Sequence, residues 1–267
     1  MKVLTVQQVQ AIETKMLDAV VSILDKHAIP FFALKGTVVG AVRHKGFIPW
    51  DHDIDLGIPY EFTTKMVECL REELDPKYSV VFHDTGDKYF FLYPRVSLKG
   101  VNHAYLHIDL FPLIGASGDL NERKKMLSKF IEIYRFYRMK KHKPVWAKTP
   151  FRKVVKTILY EMRQAIYPKS YTTLEKDYDA LCRSIPFEEA PYVYVSFPPE
   201  SEERFFPKEW LQEGVRVPFH YVTIPIPKNF DAYLTQSYGD YLSFPSKEVQ
   251  EKGRAFTMEV PEYVSVP

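Results

Sequence analysis

Leu34-Lys35-Gly36-Thr37-Val38-Val39-Gly40-Ala41-Val42-Arg43-His44-Lys45-Gly46-Phe47-Ile48-Pro49-Trp50-Asp51-His52-Asp53-Ile54-Asp55 is the stretch whose reading decides the fold. It follows the short apolar run Phe31 to Leu34, which predicts a strand. Gly36-Thr37 then turns the chain, and Val38 to His44 continues as a helix that Thr37 is placed to cap. Within Ile48 to Ile58, Ile54, Leu56 and Ile58 alternate with Asp53, Asp55 and Gly57, the two-residue period of a strand with one buried face. The order strand, turn, helix, strand predicts an α+β core.

Three carboxylates in five residues, Asp51, Asp53 and Asp55, repel one another unless something neutralises them. On a strand Asp53 and Asp55 point the same way. Mg²⁺ (or Mn²⁺) satisfies such a pair, taking one or two carboxylates plus phosphate oxygens into an octahedral shell. Gly36 and Thr37, at a strand end before a helix, suit phosphate: glycine admits the ligand to the backbone, and the helix N-terminus offers unpaired N–H groups. A third piece, His107-Ile108-Asp109-Leu110-Phe111-Pro112, sets one carboxylate between apolar neighbours. If its strand lies beside that of Asp53 and Asp55, three aspartates converge, enough for two metals or for one metal and a general base.

Outward from these pieces, Val9, Ile12, Met16, Val20 and Leu24 give residues 6 to 27 the spacing of an amphipathic helix. Phe62 to Leu74 predicts a second helix. Ser79 to His83, Phe90 to Ser97 and Ala104 to Phe111 read as strands. Two helices follow, about Lys125 to Lys141 and Phe151 to Ile166, and beyond Ser170 eight prolines between Pro186 and Pro227 predict loops, short strands and one helix near Asp231 to Tyr238. The expected division is a catalytic core over residues 1–120, a basic helical insertion over 121–170, and a C-terminal part over 171–267 that completes the core.

Charge is unevenly spread. The chain carries a net +2, yet Glu122 to Ser170 holds fifteen Lys and Arg against three Glu, so the remainder is acidic. Two distant cysteines, Cys69 and Cys182, suggest neither a disulfide framework nor a zinc finger. His103 and His107 lack a third ligand for zinc. Charged residues from Glu13 to Lys26 interrupt any apolar signal core, and no long apolar run follows, which points to the cytoplasm.

The stretch from Leu34 to Asp55 resembles the signature of the LicD family of phosphotransferases. The motif at His107 to Pro112 is similar to a second family motif, and Phe219 to Pro227 running into Tyr238-Gly239-Asp240-Tyr241 is similar to a third. The resemblance implies a nucleotidyltransferase-like mixed sheet flanked by helices, and transfer of phosphocholine from a CDP-choline donor to a sugar acceptor on a lipid-linked surface glycan or teichoic acid precursor. Ribitol or glycerol phosphate moved from its CDP donor is the alternative, and a nucleotidyltransferase acting on nucleotide or RNA is another. Carried onto this chain, the metal ligands are Asp53 and Asp55 with Asp109 as third carboxylate, and Gly36 and Thr37 face phosphate. His52 stands where the family usually has Asp.

Lys35 and Arg43 flank the turn and could pair with phosphate oxygens, Arg in a two-pronged way. His44 could touch phosphate as well. A choline headgroup needs aromatic faces, for which Trp50, Tyr89, Phe90, Phe91 and Tyr93 are candidates. In the basic region, Met126, Leu127, Phe130, Ile133, Tyr134 and Tyr137 form an apolar helical stripe flanked by Lys and Arg, suited either to an anionic membrane surface or to packing on the core. Nucleic acid is the less favoured partner, because no RNA-binding motif accompanies the charge.

Overall fold

The computed structural model describes residues 1–83, 91–101, 106–141, 169–195 and 204–266, together with 152, 154–155, 157–159 and 161–162. Strand β1 (Lys2–Thr5) leads into helix α1 (Val6–Lys26). Thr5 and Gln8 form a reciprocal capping box at its start. The apolar face of α1, including Val9, Ile12, Met16, Leu17, Val20 and Leu24, is buried. This matches the periodicity of its sequence.

Next come β2 (Phe32–Ala33), α2 (Lys35–His44), β3 (Ile54–Pro59), α3 (Thr63–Glu73), β4 (Tyr78–Val81), β5 (Arg95–Leu98) and β6 (His107–Ala116). Helix α4 (Leu120–Lys141), α5 (Tyr171–Cys182), β7 (Tyr192–Val195), β8 (Phe205–Pro207), β9 (Gly214–Phe219), β10 (Val222–Pro227), α6 (Phe230–Tyr238), α7 (Lys247–Arg254) and β11 (Thr257–Val260) complete the order. The central sheet runs β2-β3-β6-β5-β4, with β7 on β6 and β8 on β7. Only β3 and β6 pair in parallel; the other pairs in this sheet are antiparallel. A mixed sheet flanked by helices is the fold that the sequence predicts.

Four expectations change. Helix α2 begins at Lys35 rather than after Thr37, so Thr37 lies inside the first turn, where its buried hydroxyl accepts from Asp55 N at 2.9 Å instead of capping. Strand β3 begins at Ile54, which leaves Asp53 one residue before it. The expected strands at Phe90 and at Ala104 start outside the described residues; their described parts are β5 and the beginning of the longer β6. Past Ser170 the described residues form three α-helices, not one: α5 carries Leu174, Tyr178 and Cys182 on its buried face with Ser170 as cap, and α7 follows Ser246.

The stripe on α4 settles between its two readings. Met126, Leu127, Phe130, Ile133 and Tyr137 are buried in a second core with Tyr178, Cys182 and Tyr194, and the Phe130 ring stacks on Tyr194 at 5.0 Å. Each such side chain gains about 1.5–3 kcal/mol by leaving water. The α4 stripe is therefore a packing face, and no membrane-side role rests on it. Of the second expected helix, Arg152, Val154, Val155, residues 157–159, Glu161 and Met162 are helical; Phe151 and residues 163–166 lie outside the described residues.

Candidate active site

Parallel pairing of β3 with β6 sets Asp55 opposite Asp109. The two strands are thus neighbours, as the sequence reading required, while Asp53 lies one residue before β3. Leu34 N donates to Asp55 O at 2.9 Å, so the end of β2 is fastened to the start of β3 and the turn at Lys35 lies over the carboxylates. Lys35 takes a positive φ of 49°, a conformation that costs a non-glycine residue about 1–2 kcal/mol. Its N–H donates to the Tyr233 hydroxyl of α6 at 3.0 Å, and its Nζ stands 3.8 Å from Asp55 Oδ2 and 3.5 Å from the centre of the Phe111 ring. Strain at this one residue places the first-turn amides and a lysine at the same point.

Gly36 packs closely on the acidic loop. A Cβ there would stand 3.2 Å from Asp51 Oδ2. The acidic loop is held from below by α1, since Gln10 Nε2 donates to Asp51 O at 2.6 Å and to Ile48 O at 3.3 Å. Asp53 projects outward, its side chain 56% exposed against 14% for Asp55. His52 has its Nδ1 3.3 Å from Asp53 Oδ1 and stacks its ring on Phe256 at 4.1 Å.

Asp109 is held differently. Arg95, its antiparallel partner on β5, donates from Nε to Oδ1 and from Nη2 to Oδ2 at 3.2 Å, and the Tyr93 hydroxyl and His107 Nε2 lie at 3.4 and 3.5 Å. Despite burial, these partners hold the Asp109 carboxyl below the usual range. Asp55 goes the other way: burial outweighs Lys35, the neighbouring aspartates add to it, and the carboxyl is pushed up to about 7. Burial lowers Lys35, with Arg204 adding to the effect against the pull of Asp55.

Glu13 of α1 belongs to this group and was missed as a site residue. Fully buried, it accepts from His107 N at 3.3 Å through one oxygen, while its Oε2 has no hydrogen-bond partner among the described residues. Burial pushes its carboxyl well up, and the charges of Asp53, Asp51 and Asp109 reinforce the shift. The sequence did carry a signal: at about 100° per residue, Glu13 falls between Val9, Met16 and Val20 on one side and Leu17 and Leu24 on the other, inside the apolar arc. Arg95 and Arg204 had no comparable signal, since register and a distant part of the chain bring them in.

Asp51, Asp53, Asp55 and Asp109 crowd together with the buried Glu13, and Lys35, Arg95 and Arg204 stand against them, yet the carboxyls of Glu13, Asp51 and Asp55 are all pushed up by burial and by their acidic neighbours. A divalent cation fits carboxyls crowded in this way. Among the described residues no three His, Cys, Asp or Glu side chains stand close enough to cage an ion. The fit is thus to an ion held by two carboxylates and completed by substrate oxygens, the habit of Mg²⁺.

Arg43, His44 and Trp50 gather elsewhere. They sit at the far end of α2, which at ten residues is about 15 Å long. Arg43 Nη1 donates to Tyr241 O at 3.0 Å with its guanidinium 4.1 Å over Phe244, and the His44 ring meets Trp50 and Phe244 edge-on, each at 6.3 Å. Burial and Arg43 lower the His44 pKa, which favours neutral imidazole. Arg254 lies 5.5 Å over Trp50. Phe91 is faced by Arg95 at 4.1 Å; Tyr89, Phe90 and His103 lie outside the described residues.

A strand–turn–helix beside two parallel strands bearing aspartates defines a nucleotidyltransferase-type phosphotransfer domain. Residues 28–174 match the LicD/FKTN/FKRP nucleotidyltransferase domain, and the chain belongs to this family of phosphotransferases. It is 24% identical over 262 residues to the lipopolysaccharide cholinephosphotransferase LicD of Haemophilus influenzae, covering 94% of this chain and 96% of that protein. It is 32% identical over 103 residues to the human ribitol 5-phosphate transferase FKRP, covering 37% of this chain and 20% of that one. An uncharacterized protein of Rickettsia prowazekii is 30% identical over 108 residues, 34% of this chain and 41% of its own.

Proposed function

We propose that the chain transfers phosphocholine from CDP-choline to a sugar hydroxyl of a surface-glycan precursor, on the centre formed by Asp53, Asp55, Asp109 and the Lys35–Thr37 turn. The observation that carries the reaction class is the pairing of Asp55 with Asp109 directly beneath that turn. The choice of donor is supported by similarity to the Haemophilus cholinephosphotransferase along nearly the whole of both chains.

A Mg²⁺ or Mn²⁺ ion held by Asp53 and Asp55 would supply neutralisation of the donor's diphosphate charge. Lys35 and the first-turn N–H groups of α2 bind phosphate oxygens alongside. The acceptor oxygen forms a bond to the phosphorus that bears the alcohol, the bond from that phosphorus to the bridging oxygen breaks, and CMP leaves. The hydroxyl proton passes to a carboxylate. Asp109, whose carboxyl His107 and Arg95 hold below the usual range, is the carboxylate assigned this role. With both its oxygens on Arg95, a second ion at Asp109 has less support.

Transfer of ribitol or glycerol phosphate is the second reading, and one observation favours it. Trp50, Phe91 and Phe111, three rings near the acidic segments, each already face a cation of the chain itself. Thermal midpoints measured with Mg²⁺ and CDP-choline, CDP-ribitol, CDP-glycerol, CTP or RNA separate the readings by mass action. A metal-dependent rise with CDP-choline, absent in Asp53→Ala, supports phosphocholine transfer; a rise confined to another CDP-alcohol replaces it. A rise with CTP or RNA alone moves the chain to nucleotide chemistry.

A further inference from the structure

With the α4 stripe buried, the apolar residues of the second basic helical stretch stand apart. Val154, Val155, Ile158, Leu159 and Met162 are 39–57% exposed. Their spacing puts them within an arc of about 140° on one helical face at ~100° per residue. Five large apolar side chains on one face are a concentration that soluble surfaces ordinarily avoid. Arg152 is exposed at the start of the same stretch, and the sequence from 152 to 163 carries Arg152, Lys153, Lys156 and Arg163 against one acid, Glu161.

The two α4 and 152–162 stretches share a basic composition but not a fate. Basic α4 turns its apolar face to Tyr178 and Tyr194, whereas the face of 154–162 meets water. A protein partner of mixed charge would be served by an apolar face with interspersed acids and bases. Here the charge is nearly all of one sign, which complements a surface that is itself uniformly anionic and apolar beneath its charges. We propose that the described helical residues between 152 and 162 dock the chain in plane on anionic lipid, with Val154, Val155, Ile158, Leu159 and Met162 entering the acyl boundary and the basic charge that the sequence concentrates here drawing them to lipid phosphates. No helix among the described residues is long and apolar enough to cross a membrane, so this contact is peripheral. It stands whichever group the active centre moves.

Co-sedimentation of the full chain with vesicles tests it, using phosphatidylcholine alone and phosphatidylcholine with about 30% phosphatidylglycerol, a charge density at which polybasic segments bind. Expected are binding to the anionic vesicles only, weakening as salt is raised, and at least a roughly tenfold loss in Ile158→Asp/Leu159→Asp, whose exposed positions leave the fold intact by circular dichroism. Sedimentation velocity without lipid, on wild type and variant, reads the competing occupant. The proposal is overturned if wild type binds neither vesicle, if the double variant binds as wild type does, or if the wild type is a dimer that the variant dissociates.

Discussion

Replacing Glu13 by Gln should stabilise the protein increasingly as pH rises. In the folded chain this carboxyl is fully buried, accepts one long hydrogen bond from His107 N, and has a second oxygen with no hydrogen-bond partner among the described residues. Its pKa is therefore raised well above 4.5. The sign follows from proton counting. Below the unfolded value both states are protonated; as pH rises the unfolded chain releases its proton first, while the folded chain keeps it. The folded state then binds more protons, so stability falls with pH until the folded pKa is passed, at about 1.4 kcal/mol per pH unit. Gln has no proton to lose. Between pH 5 and pH 6.5 the advantage of Glu13→Gln should grow, at no more than about 1.4 kcal/mol per pH unit. Chemical denaturation of both proteins with a chelator present, at half-unit steps of pH, gives the difference directly. Parallel curves across that range would refute the reasoning, because they would mean that Glu13 titrates as an exposed carboxyl does.

Other residues give independent checks. Arg95→Ala leaves the buried Asp109 carboxylate without its main partner and should cost about 3–5 kcal/mol in urea unfolding, with Arg95→Ala/Asp109→Ala costing less than the sum of the single changes. Gly40→Ala would put a Cβ 2.4 Å from Gly46 O, so the signature loop must move, at about 1–3 kcal/mol of stability. Tyr233→Phe removes the hydroxyl that holds Lys35 N and should lower stability by about 1 kcal/mol. It should also weaken donor binding in the thermal assay, because the strained turn loses a support; unchanged binding would show that α2 holds the turn unaided.

The strand, turn, helix and strand that carry the candidate site were legible because they depend on local patterns. Ile54, Leu56 and Ile58 alternate with acids, and the turn at Gly36-Thr37 precedes them at a distance that one helix can span. Helix α1 was equally plain in its apolar spacing. What resisted reading depends on register or on long-range packing. Arg95 reaches Asp109 only because β5 pairs with β6 at that register, and Arg204 stands immediately before β8, far along the chain. The α4 stripe fitted a membrane and a core equally well until Tyr178 and Tyr194 were seen to cover it. Helix α5 went unread although Leu174, Tyr178 and Cys182 recur every four residues, because the prolines that follow made the whole C-terminal part look irregular. Glu13 was noticed only as an interruption of an apolar segment. A carboxylate at the centre of an apolar helical face asks instead what chemistry keeps it there.

The most direct test of a metal-dependent phosphotransfer centre on Asp53 and Asp55 is CMP release from CDP-choline in the presence of a sugar acceptor, by wild type and by Asp55→Asn, with and without Mg²⁺. The centre described here should release CMP only with the metal, and Asp55→Asn should lose at least about 10²-fold in rate, roughly 2.7 kcal/mol of transition-state stabilisation, while remaining folded. Release that persists at full rate in Asp55→Asn, or that is indifferent to Mg²⁺, would contradict it.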